Sequence, residues 1–189
     1  EEIITTLVAN NAPINSWGVG THMVTGGNES SFTGVYKLAA RHDKQTDQMV
    51  PAMKFSDNPA KTTNPGIKNV YRLYDENGFA CADILALEDE EILPNKEYRF
   101  HHPMVDYRQF SFTPSKVELL LKKRLENGKR TSPRLPESEQ LKISRNNMMS
   151  QLDTFDESYK RILNPHIYKV SITENLKDLK LDFINKNIK

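Results

Sequence analysis

The stretch INSWGVGTHMVT, residues 14–25, decides how the first part of the chain is read. It passes from Ile14 through Trp17 into Gly18-Val19-Gly20-Thr21 and leaves through His22-Met23-Val24. Upstream, EEIITTLVANN (residues 1–11) places Ile3, Ile4, Leu7 and Val8 on one helical stripe, with Glu1 and Glu2 suited to a helix N-terminal turn. Asn10-Asn11 and then Pro13 close that helix. The expected order is therefore helix, short extended segment at 14–17, glycine turn, short helix: one α–β–α step of a parallel α/β system. One such step cannot close a sheet or bury both its faces, so it requires partner strands that these residues do not supply. A chain that opens inside an amphipathic helix reads as cut from something longer; a processed or renumbered start gives the same beginning.

Gly18-Val19-Gly20-Thr21 admits two readings. A tight strand-to-helix turn is the plainer one. The other is a phosphate cradle, in which glycines let successive amides converge, a helix N-terminus adds positive dipole and the Thr21 hydroxyl adds a donor. It is not a P-loop, because no Gly-Lys-Ser/Thr follows. Nor is it the dinucleotide fingerprint, because Met23 stands where the third glycine would be.

From residue 32 the texture changes to strands. FTGVYKLAARH and MVPAMKFS flank the polar turn DKQTDQ (43–48), with Pro51 marking an edge or an end. DNPAKTTNPG (57–66) reads as a loop. KNVYRLYD (68–75) and FACADILAL (79–87) flank Glu76-Asn77-Gly78, a hairpin signal. EYRFHHP and DYRQFSF form one more hairpin, giving a mainly antiparallel region over 32–112. Beyond it the spacing predicts helices. Thr113-Pro114 opens one with Val117, Leu120, Leu121 and Leu125 as its stripe and Asn127-Gly128 as its stop. A longer helix runs over about 138–163, with Leu141, Met148, Leu152, Phe155, Tyr159 and Ile162 as its buried face. HIYKVSI is a last strand, and TENLKDLKLDFINK a last helix. The expected segments are thus 1–31, 32–112 and 113–189.

The 189 residues are 37% hydrophobic and 27% charged, an ordinary globular balance. With 26 basic against 25 acidic residues there is no electrostatic case for nucleic acid or an anionic membrane. No apolar run approaches the ~20 residues of a membrane span. The single Cys81 excludes an internal disulfide and a cysteine zinc site, and fits a reducing, cytoplasmic setting. Adjacent His101 and His102 point to opposite faces of a strand and suit ordinary polar roles better than one shared metal ion. His22 could stand beside a phosphate but suits a helix surface. Lys54, Lys61 and Lys68 with Arg72 could form an anion-facing patch, though lysines in a loop are commonly just solvated. Trp17 reads as core rather than as a stacking platform. No nucleophile–base pair and no metal-ligating set stands out.

Several segments in order are more specific than any one. SWGVGT (16–21) is followed by GVYKL (34–38), KFSDNPAKTTNPG (54–66), NVYRLYDENG (69–78), ADILALEDE (82–90) and LNPHIYKVSITENLKDLK (163–180). This order resembles the C-terminal part of the bacterial nicotinate phosphoribosyltransferase family, over essentially the whole chain. The resemblance implies α/β plus α+β architecture: the terminal βα unit of a type II phosphoribosyltransferase barrel, then a mainly antiparallel β region of a second domain and C-terminal helices. It implies an enzyme of NAD biosynthesis joining nicotinate to 5-phosphoribosyl diphosphate, with ATP hydrolysis coupled through a phosphorylated histidine, magnesium on the substrate and a homodimer at full length.

The same resemblance places the ribose 5-phosphate on Gly18, Val19, Gly20 and Thr21, Gly20 and Thr21 foremost. Barrel logic agrees, since phosphates favour late βα loops there. Residues 30–33, Ser-Ser-Phe-Thr, depart from the family's commoner proline and glycine. No segment matches the family's phosphorylated histidine or its base pocket, and none of the five histidines sits in that motif, so the catalytic residues are expected outside these 189, in an N-terminal half. The chain alone is then expected to be inactive. Lys37, Lys54, Lys61 and Lys68 receive no role. A non-catalytic phosphate-ligand module, or a relative using nicotinamide or quinolinate, would share these features.

Overall fold

The computed structural model describes residues 2–20, 23, 24, 26, 36–56, 62–105 and 107–187. The chain divides into two compact units, residues 1–37 and 38–189.

In the first unit, helix α1 spans Glu2–Ala9. It ends in a left-handed residue, Asn11 at φ 52°. The Asn11 amide donates to the Val8 carbonyl and the Ala12 amide to the Leu7 carbonyl, both at 3.0 Å. That pair of bonds is a Schellman stop, and Pro13 follows it. Residues 14–20 join no strand ladder, so the extended segment predicted at 14–17 does not become a β-strand among the described residues. A strand's backbone groups need a neighbour, and the described residues of this unit offer none for them.

The second unit is built on a mixed sheet. A separate hairpin pairs β1 (Ala40–Asp43) with β2 (Gln48–Pro51), with Pro51 at the strand end. The six-stranded sheet comprises β3 (Lys68–Tyr74), β4 (Ala80–Leu87), β5 (Tyr98–His101), β6 (Gln109–Phe112), β7 (Lys116–Leu119) and β10 (Lys169–Ile172), in the order β6-β5-β10-β4-β3-β7. A two-residue turn joins β8 (Leu125–Glu126) to β9 (Lys129–Arg130) in a small hairpin. Helices α2 (Glu137–Leu152), α3 (Glu157–Lys160) and α4 (Glu174–Asn187) complete the unit. No helix among the described residues is long and apolar enough to cross a membrane.

Strand β4 alternates buried and half-buried positions along its whole length, the signature of a strand with one face in the core. Tyr71 and Leu73 of β3 lie opposite Ile84 and Ala82 of β4, and with Ala86, Ile92 and Phe100 they form the core cluster. Fully burying an aliphatic side chain of this kind stabilises by about 1.5–3 kcal/mol.

Three expectations are corrected. First, residues 113–128 are not a helix but β7 and the β8–β9 hairpin. Asn127 and Gly128 have φ 47° and 75°, the two positive values of a type I′ turn, so this Asn-Gly reverses a hairpin rather than stopping a helix. Pro114 is fully buried ahead of a strand, not at a helix N1. At 76–78 the hairpin is present, but Gly78 alone has positive φ, at 83°. There a carboxylate oxygen of Asp75 takes the Asn77 and Phe79 amides, and the ladder bulges between Leu73 and Tyr74.

Second, the helix predicted over 138–163 is α2, a break, and α3, where Asp156 caps the Ser158 amide at 2.9 Å. The predicted buried face is largely exposed, with Leu141 at 72% and Ile162 at 54%, and α2 has no buried residue. Phe155 and Tyr159 do pack, against Tyr168. Third, the sheet is not confined to residues 32–112. β10 enters the middle of the sheet, parallel to β4 and antiparallel to β5, which makes the sheet mixed.

Candidate functional site

The Schellman stop of α1 aims the chain into residues 14–20. There the Gly20 carbonyl accepts the Met23 amide at 3.0 Å and the Val24 amide at 3.3 Å, so Gly20 stands where a helical turn opens. Gly18, Val19 and Gly20 are exposed. Neither Gly18 nor Gly20 has positive φ, and a Cβ on either would meet nothing within 4 Å. Backbone strain therefore does not call for glycine here, and both stay open to a close approach. Thr21 and His22 lie outside the described residues. Trp17 is 37% exposed and not part of the core cluster.

Two of the cations of the expected anion-facing patch, Lys68 and Arg72, are engaged within the protein. Lys68 turns its ammonium onto the carbonyls of Asn64 (2.9 Å), Pro65 (3.3 Å) and Gly66. Burial pushes its pKa down. It serves as a tie for a loop whose Gly66 has φ 84°. Arg72 is held by Asp83 through a bidentate pair, Nε to Oδ1 and Nη2 to Oδ2, both 2.8 Å. Lys54 and Lys37 are exposed and Lys61 lies outside the described residues. Two ends of the KFS…KTTNPG motif are instead pinned backbone to side chain: the Lys54 amide donates to the Thr63 hydroxyl at 3.0 Å. The Ala39 carbonyl takes the amides of Ala52 and Gly66, each at 2.8 Å. Among the described residues of this motif, Lys54, Thr63 and Gly66 are thus tied to the chain's own backbone and side chains.

Three polar networks escaped the sequence reading. Asp83 also accepts the Tyr168 hydroxyl at 3.0 Å, and Arg72 Nη1 reaches Gln151 at 2.8 Å while its guanidinium lies 4.9 Å from the Phe155 ring centre. His101, 2% exposed, meets Glu174 through Nε2 at 2.8 Å and the Lys177 ammonium through Nδ1 at 3.3 Å. An ammonium can only donate, so Nδ1 accepts and Nε2–H donates: the neutral tautomer fits both partners. The Glu90 carboxylate gathers the Leu87 amide, the Thr173 hydroxyl and the Asn175 amide, locking the loop after β4 to the start of α4. His102 is also structural, its Nδ1 accepting the Met104 and Val105 amides at 3.1 Å. Partners up to 85 residues apart in the chain form these networks, and no local motif signals them. Among the described residues no group of three or more His, Cys, Asp or Glu could hold a metal ion.

Residues 67–180 match the family model for the nicotinate phosphoribosyltransferase C-terminal domain. The chain is 34% identical to the nicotinate phosphoribosyltransferase of Caenorhabditis elegans over 177 residues, covering 93% of this chain and 30% of that protein. It is 31% identical to the one of Bacillus subtilis over 189 residues, covering 98% and 37% respectively. The crystal structure of human nicotinic acid phosphoribosyltransferase superimposes with a TM-score of 0.57 at 27% identity, covering 65% of this chain and 24% of that one. The relatives span animals and bacteria, so the similarity does not single out a bacterial origin. The chain spans about a third of the length of the curated relatives it matches. On these matches the chain belongs to the nicotinate phosphoribosyltransferase family, with residues 67–180 corresponding to its C-terminal domain.

Proposed function

We propose that this chain is the C-terminal portion of a nicotinate phosphoribosyltransferase and supplies that enzyme's ribose 5-phosphate loop. The whole protein would join nicotinate to 5-phosphoribosyl diphosphate, forming nicotinate mononucleotide and diphosphate with coupled ATP hydrolysis, in the cytoplasm and as a homodimer. The observation that carries this reading is that similarity extends beyond the family domain at 67–180 to nearly the whole chain, so that residues 14–26 fall within it. Residues 1–31 would then be the last βα step of a barrel whose other strands lie in the remaining two thirds of the family's length. That explains why 14–20 find no ladder in the first unit.

The loop's part in the chemistry is positional. Transfer needs C1 of the ribose to open toward an oxocarbenium-like state while the phosphate end stays fixed. Fixing it turns an encounter into an oriented, effectively unimolecular step. Open glycine backbone at 18–20, the helical turn beginning at Gly20 and the Thr21 hydroxyl suit a phosphate dianion. Magnesium, expected on the diphosphate, would be held by substrate oxygens and by residues elsewhere; the described residues offer it no cage.

The test is product formation by the intact protein supplied with 5-phosphoribosyl diphosphate, ATP, magnesium and one of nicotinate, nicotinamide or quinolinate. Nicotinate mononucleotide should form from nicotinate, and the isolated 189-residue chain should form none. Turnover confined to nicotinamide or quinolinate, or turnover by the isolated chain, would overturn the reading.

A further inference from the structure

The β8–β9 hairpin and α2 enclose between them a cleft of about 400 Å³. Its charge comes from Arg124, Arg130 and Arg134, and its neutral donors from Ser132, Gln140, Ser144 and Asn147. The two walls are built by different means. The type I′ turn at Asn127-Gly128 sets the hairpin, and the mouth is closed by Thr131, whose amide meets the Arg124 carbonyl at 3.1 Å and whose hydroxyl meets the Lys123 carbonyl at 2.6 Å. The other wall is one stripe of α2, on which Ser144 and Asn147 stand one turn apart. Pro136 starts α2 two residues after Arg134, so the third arginine rides on the link between the walls.

The electrostatics of the cleft are one-sided. No carboxylate lines it, and among the described residues none of the three arginines is in an ion pair. The hairpin's own acid, Glu126, is taken by Lys123 at 2.8 Å. Three arginines lining one concavity concentrate positive charge there, and an anion between them would relieve it. A guanidinium fork matches two oxygens of one phosphate, and three positive charges exceed the about −1.5 to −2 that one phosphate group carries, so a second phosphate group completes the charge balance. The volume falls within the range of small-molecule sites, about 300–1,000 Å³. No aromatic side chain lines the cleft, which removes the stacking platform that single-stranded nucleic acid requires. The overall charge of +1 likewise offers no field for a polyanion.

We propose that this cleft is a binding site for a small molecule bearing a diphosphate group, separate from the loop at 18–21. The inference does not depend on the phosphoribosyl-transfer reading, since it uses only residues 124–147.

The experiment is calorimetric titration of the intact protein with inorganic diphosphate, and with inorganic phosphate as the smaller probe, at low salt. Diphosphate should bind more tightly than phosphate. Arg130→Ala with Arg134→Ala should weaken diphosphate at least tenfold, while Arg41→Ala with Lys44→Ala, which removes the same two charges from the exposed β1–β2 hairpin, should not. Thr21→Ala should leave this component in place, which separates it from any binding at the glycine loop. All three arginines are exposed, so folding should survive, and circular dichroism will verify it. If the alanine pair fails to fold, Arg130→Lys with Arg134→Lys keeps the charge and removes the forks; it too should bind more weakly. An absence of binding, or wild-type affinity in the folded cleft variants, would overturn the proposal.

Discussion

Replacing Asp83 by Ala tests whether the sheet and the segments beyond it are held together as described. Asp83 sits on β4 opposite Arg72 of β3, with side chains 16% and 12% exposed. It accepts two bonds from Arg72 and one from Tyr168, and Arg72 in turn reaches Gln151 at the end of α2. Removing the carboxylate leaves a largely desolvated guanidinium with one neutral partner and the Phe155 face. Truncating one member of a buried pair costs about 3–5 kcal/mol. Some solvent reaches both groups, so the lower end applies, about 3 kcal/mol. For a domain of this size that is a fall in Tm of about 6–12 °C, followed by far-ultraviolet circular dichroism. Replacing both partners, Arg72→Met with Asp83→Leu, should recover most of the loss, because no unpaired charge remains. The Tyr168 phenol, pushed up first by burial and then by the Asp83 charge, should ionise at lower pH in Asp83→Ala. A single variant within about 0.5 kcal/mol of the parent, the range of ordinary surface changes, would refute this account of the network.

Two further outcomes follow from the same structure. The His101 hydrogen bond holds the Glu174 carboxyl below its ordinary value of 4.5. Its stabilisation is therefore complete above the unfolded value and is lost as pH falls through the lower folded value, so the acid limb of a stability–pH profile should be shallower in Glu174→Gln; an unchanged limb would show that the pair is not felt. Gly66 has φ 84°, and a Cβ there would lie 3.0 Å from Leu87 Cδ2 and 3.5 Å from Leu179 Cδ2, whereas Gly128 has φ 75° and open space. Gly66→Ala should thus cost more than the ~1 kcal/mol expected of backbone strain alone at Gly128→Ala; denaturant midpoints with the opposite order would contradict the packing at Gly66.

What could be read from the residues was set by how local the determining contacts are. The β3–β4 hairpin was legible because alternating burial writes a period of two into Tyr71, Leu73, Ala82, Ile84 and Ala86. Residues 117–125 misled because Val117, Leu120, Leu121 and Leu125 fit a helical stripe, while the structure uses them in two short strands and a connector. Short apolar runs do not distinguish the two periods, and here the Asn-Gly turn was the better signal. The place of β10 between β4 and β5 depends on pairings about 70–90 residues distant, which no window along the chain contains. In the candidate site, Gly18 and Gly20 were singled out by type and spacing, and the structure adds that both are exposed with open space around them. That Lys68 and Arg72 are already engaged was not visible, because Lys68 folds onto its own loop and Arg72 onto the carboxylate of its cross-strand neighbour. The arginine cleft escaped because Arg124, Arg130 and Arg134 become neighbours only once 125–130 fold back as a hairpin.

The most direct test of the central claim is the affinity of the intact protein for 5-phosphoribosyl diphosphate, measured with Thr21 present and with Thr21→Ala. A hydroxyl donated to a phosphate oxygen contributes about 1.5–3 kcal/mol, so the dissociation constant should rise about tenfold to a hundredfold, with nicotinate affinity unchanged. An unchanged constant for 5-phosphoribosyl diphosphate would contradict the assignment of residues 18–21 as the loop that holds the ribose phosphate.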